Sequence, residues 1–167
     1  MAQFLAPGSF IYEIHIIFGM VSFFIGPLQF IPYIRRHHVK LHRLLGKSYL
    51  LCVFIAGTTG FAISFNTPLQ WAAAGTATQS ILWLLFTGLA FRNILKKNIS
   101  AHQRWMLRSY ALVLAAPFLR LSISAFENLT HIDYMEHFEL IYPALVWTSF
   151  LPLGITEVCL RFKSRRA

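Results

Sequence analysis

Five long apolar runs, at residues 9–34, 48–65, 71–95, 105–126 and 139–162, decide what this chain can become. Each is near or above the ~18 residues that cross a hydrocarbon core, and a lone segment in lipid satisfies its own backbone only as a helix. The chain therefore reads as an all-α integral membrane protein, a bundle of five transmembrane helices forming one transmembrane domain over residues 1–167. Composition agrees, because 56% hydrophobic and 13% charged residues fall outside the range of ordinary soluble domains. The connections are short, and no Gly/Ser-rich linker interrupts them. No basic stretch precedes the first run, so a cleaved signal is not expected.

The formal net charge of +9 is not a sign of nucleic-acid binding once the charges are placed. Arg35, Arg36, Lys40, Arg43 and Lys47 fill the first connection, and Arg92, Lys96, Lys97, Arg104 and Arg108 bracket the third. Arg161, Lys163, Arg165 and Arg166 end the chain, so every Lys or Arg except Arg120 collects at one face. Glu127, Asp133, Glu136 and Glu139 collect at the other. By the positive-inside rule the N-terminus is expected outside and the C-terminus in the cytoplasm. Anionic inner-leaflet lipid is the expected partner of such a surface.

The fourth run opens AHQRWMLRSYALVLAAPFLR, residues 101–120. At 100° per residue His102, Met106, Ser109, Val113, Ala116 and Arg120 fall within about 40° of one line. Costly groups on a line with small residues are expected to face protein. The rise from His102 to Arg120 is roughly 27 Å, which puts them near opposite membrane faces. In the first run His15, Gly19, Ser22, Gly26 and Gln29 make a similar stripe, and Pro27 removes the bond to the Phe23 carbonyl. The second opens LHRLLGKSYL and puts His42, Gly46, Tyr49, Val53, Ala56 and Gly60 on one face. HRLLGKSY and HQRWMLRSY are either a worn internal repeat or a coincidence between two cytoplasmic helix starts, and both readings put His42 and His102 at the same depth.

Two polar layers result, an inner one at His42 and His102 and an outer one at His15 and Arg120. About 20 Å separates them, too far for one metal to bind both. Two level imidazoles suit the axial positions of a haem b, with Arg108 placed for a propionate. In the outer layer His15, Arg120 and Gln79 are expected to line a closed polar pocket. Cys52 and Cys159 lack metal-site spacing and read as packing residues. Glu157, four residues before Arg161, suggests a local ion pair. No Ser or Cys has a visible base and acid beside it, which disfavours a hydrolase.

GPLQF in the first run, LHRLLGKSY opening the second, and AHQRWMLRSYAL with Arg120 in the fourth resemble the uncharacterised bacterial predicted membrane proteins grouped as a domain of unknown function. That pattern has a histidine in the first helix, a His-Arg-x-x-Gly-Arg-x-Tyr entry to the second and a His-x-x-Trp-Met-x-Arg-Ser entry to the fourth. His15, His42, His102, Trp105, Met106, Arg108 and Ser109 fit it, whereas Lys47 replaces an arginine. The resemblance implies a bacterial inner-membrane protein and brings no activity with it. Cytochrome b561-like bundles are a looser architectural analogy.

Two functional expectations follow. One is a haem-binding redox protein that exchanges electrons with a quinone or a redox partner through His42 and His102. The other is a non-enzymatic assembly factor or small-molecule carrier whose polar cavity is built on His15 and Arg120.

Overall fold

The computed structural model describes residues 9–133 and 135–165; the first eight residues and Arg166 of the basic C-terminal group lie outside them. The described residues form α1 (Phe10–Leu28), α2 (Pro32–His37), α3 (Val39–Ser64), α4 (Gln70–Leu95), α5 (Ile99–Val113), α6 (Ala115–Thr130), α7 (Phe138–Thr148) and α8 (Leu151–Arg165). Five stretches are long and apolar enough to cross a membrane: Phe10–Leu28, Val39–Ser64, Gln70–Leu95, Ile99–Thr130 and Phe138–Lys163. The fourth joins α5 to α6, and the fifth joins α7 to α8.

Prolines set most of the breaks. Pro117 has no N–H for the carbonyl of Val113, and α5 ends at Val113. Pro152 stands in the same relation to Thr148, where α7 ends. The first run, expected as a helix over 9–34, stops at Leu28 because Ile31 must be extended before Pro32 (ψ 116°), which then opens α2 at the position proline tolerates best. At the other end of a helix, the Asn98 side chain accepts the Ala101 N–H at 3.0 Å and caps α5. α3 begins at Val39, so the basic entry around His42 is already helical.

α1 packs along α3, α3 along α4 and α4 along α5, and α1 touches α5 to close a ring of four. α3 and α5 thus face each other across the middle, while α7 lies against α4 and α8 against α5 from outside. Tyr49, Val53, Ala56, Trp83, Ala90, Met106, Leu112 and Val113 fill the interior. Alanines at 56, 72 and 90 are fully buried, as expected where close helix approach supplies the association energy in lipid. The outer surface carries Phe24, Leu51, Phe54, Ile81 and Leu85, the apolar coat a bilayer requires.

Pro27 produces a specific contact. The Phe23 carbonyl that it frees accepts the Tyr110 hydroxyl at 3.3 Å, and the Tyr110 ring lies directly on Gly26, where a Cβ would collide with it. Gly26→Ala should therefore cost about 1–3 kcal/mol by overpacking. Tyr110→Phe, which loses only the hydroxyl, should cost about 1 kcal/mol. Melting temperatures in detergent check the order, and a Gly26→Ala protein as stable as wild type would disprove the tight contact.

Candidate functional site

The inner layer is assembled on the two facing helices. Tyr49, fully buried on α3, shares a hydrogen bond of 2.8 Å with Ser109 on α5. Thr87 of α4 reaches the same Ser109 oxygen at 2.6 Å and its own Trp83 carbonyl at 2.7 Å. His42 lies seven residues before Tyr49, and His102 seven before Ser109. Seven residues are two turns, so each histidine shares its partner's helix face, about 10 Å along the axis. Since the Tyr49–Ser109 bond fixes the register between helices that run the same way, the two histidines come out at one level along their helices.

The two rings are held differently. His102 donates from Nδ1 to the Ala90 carbonyl at 2.8 Å, which leaves its Nε2 as an acceptor. His42 Nδ1 is buried and has no hydrogen-bond partner among the described residues. The same is true of Nε2 of Gln29, a residue only 6% exposed at the end of α1. A Cβ on Gly46, one turn beyond His42, would come within 3.3 Å of the Gln29 Oε1, so the glycine makes room for this amide. Each buried orphan costs about 1–3 kcal/mol unless something satisfies it. Sequence patterning sets Gln29 on the stripe of His15, but not its place against Gly46, because the end of α1 depends on Pro27 and Pro32.

Arg108 does not stand free for a propionate. Its guanidinium makes a two-pronged ion pair with Glu157 of α8, Nε to Oε1 at 2.5 Å and Nη2 to Oε2 at 3.0 Å. It also lies 4.6 Å from the centre of the Trp105 ring. Besides the local Arg161 expected from the sequence, Glu157 thus has a partner on another helix, because α8 docks on α5 with the carboxylate opposite the guanidinium fork.

The outer layer differs from the expected pocket. His15 Nδ1 donates to the Ala56 carbonyl of α3 at 2.8 Å, and its ring sits against Gly60, where a Cβ would come within 2.8 Å of Cε1. Gln79 Nε2 donates to the Leu112 carbonyl at 3.3 Å, just before the break that precedes Pro117. Arg120 is exposed on α6 and has no hydrogen bond or ion pair among the described residues. His102, Met106, Ser109 and Val113 do face inward, but the turn at Leu114 resets the helix phase and carries Ala116 and Arg120 outward. His15 and Gln79 thus each bond a backbone carbonyl of a neighbouring helix, while Arg120 is exposed rather than enclosed with them. Among the described residues no three histidine, cysteine or acidic side chains converge as metal ligands, and Cys52 and Cys159 are free thiols.

Fold and site together define a multi-span helical membrane protein with a polar tier at one end of its four-helix interior. Residues 12–157 match the family described as predicted membrane protein (DUF2306), and the chain belongs to that family. No curated protein and no solved structure matches it. The motif ends seen in the sequence, Tyr49 and Ser109, bond to each other across the interior.

Proposed function

We propose that the protein binds haem b between α3 and α5, with His42 and His102 as axial ligands, and exchanges electrons with a quinone or a redox partner. The observation that carries this reading is the level placement of the two histidines, two turns from the Tyr49–Ser109 bond. The donor set suits the group: His102 is fixed through Nδ1 to a carbonyl, the usual outer support of a ligating imidazole, and His42 brings a buried nitrogen without a protein partner. Haem iron would supply one-electron chemistry, and the axial ligands and their hydrogen bonds would tune its potential. Gln29 would close the deep edge of the site, and Tyr49, Ser109 and Thr87 would hold the two helices in register. Arg108 takes no part, since Glu157 occupies its fork.

The test is the absorption spectrum of detergent-purified protein from haem-replete cells. A Soret band with the sharp bands of a low-spin bis-histidine haem is expected, and a colourless preparation would refute the proposal.

The same reading places the protein in a bacterial inner membrane, N-terminus outside, because the basic residues gather at the ends occupied by His42, His102 and the C-terminus. A reporter active only in the cytoplasm should give signal when fused after Ala167 and none when inserted near Asp133. The opposite pattern would invert the orientation.

A further inference from the structure

Between α5 and α8 a pocket of about 240 Å³ is lined by Arg104, Arg108, Glu157, Leu160 and Arg161. Three guanidiniums share one carboxylate, so the lining carries an excess of positive charge. The floor is organised in advance, with Arg108 clamped by Glu157 and seated on Trp105. Arg104 lies one turn before Arg108 and Arg161 one turn after Glu157. The fourth and fifth spans run in opposite directions, so both arginines lie on the same side of the ion pair, about 6 Å nearer the aqueous end. Both are exposed.

A cleft with cations at its mouth, a fixed ion pair below and Leu160 as an apolar wall suits a ligand that is anionic at one end and greasy at the other. Exposed Leu107, Val158 and Phe162 continue the apolar surface on the same two helices. Guanidinium forks match phosphate oxygens in pairs, and basic pockets between spans at a membrane face are suited to phospholipid headgroups. We propose that this pocket binds the phosphate of an anionic phospholipid from the leaflet on the basic side. It goes beyond the haem reading and does not depend on it.

The experiment is native mass spectrometry of the full chain, released from detergent containing equal phosphatidylglycerol and phosphatidylcholine. Wild type should retain phosphatidylglycerol in preference. Arg104→Gln with Arg161→Gln should weaken that retention by about tenfold or more, while the paired lysine substitutions, which keep the charge, should preserve most of it. Arg35→Gln with Arg36→Gln should leave it unchanged. Equal retention of the two lipids, an unaltered preference in the double glutamine variant, or an equal loss in the Arg35/Arg36 control would each overturn the site. Displacement of the lipid by millimolar inorganic phosphate would overturn lipid as its ligand. Melting temperatures in lipid-free detergent should match across the variants, so that lost retention is not lost folding.

Discussion

His42→Ala and His102→Ala should each abolish the bis-histidine spectrum of the purified protein. If the pair holds a haem as proposed, each substitution would remove one of its two ligands, and no third histidine, cysteine or acid converges on the pair among the described residues to replace it. The effect should be close to all-or-none, since a haem held on one side changes spin state or leaves. The fold should survive. Tyr49, Ser109 and Thr87 still tie α3, α4 and α5 together two turns away, and removing a half-buried imidazole creates no large cavity. Circular dichroism should match wild type, and added imidazole should restore part of the spectrum by refilling the vacated coordination position. His131→Ala, at the far end of α6, should change nothing. An unchanged spectrum in both inner variants would assign the ligands elsewhere, and loss of the band in His15→Ala alone would assign them to the outer layer.

Glu157→Gln should destabilise the protein by about 2–4 kcal/mol, which is large for one side chain. The reason is the guanidinium left behind. Arg108 lies beside Ser109, two turns in from His102, and its side chain is only 18% exposed. Breaking a buried pair by removing one partner typically costs about 3–5 kcal/mol, and the partial exposure of this one, with room to snorkel, lowers the figure somewhat. Arg108→Gln leaves the carboxylate, whose side chain is 34% exposed and more easily hydrated, so its cost should be smaller. The double variant Arg108→Gln/Glu157→Gln should melt above Glu157→Gln alone, because two neutral amides leave no unpaired charge. Melting curves in detergent decide this. If all three variants melt with wild type, the ion pair does not anchor α8 to α5.

Much of the inner layer is legible in the sequence. A seven-residue interval on a helix is nearly two whole turns, so His42 with Tyr49 and His102 with Ser109 had to share faces. Hydropathy alone located the spans. The Phe23 carbonyl freed by Pro27 was also visible, but its partner was not: Tyr110 lies far along the chain and meets it only because α1 closes the ring against α5. Gln29 shows the same gap from another side. Periodicity gave it a direction but no depth, and only the meeting of α1 and α3 at Gly46 places it against the second span.

Where periodicity failed, the cause was a break in the period. The line from His102 to Arg120 holds only for a straight helix, and Pro117 ends α5 at Val113, so Arg120 is exposed on α6 instead of continuing the inward face. Glu157 illustrates the other limit: Arg161 is its neighbour along the helix, but the docking of α8 on α5 presents it with Arg108 in two-pronged geometry. What the sequence by itself determined about this protein is what depends on solvent and short range: its spans, its charge asymmetry, and which side chains share a helix face. Tertiary structure alone decided which faces meet, at what depth, and which charge pairs with which, because those follow from how separate helices dock, and no local rule contains the docking.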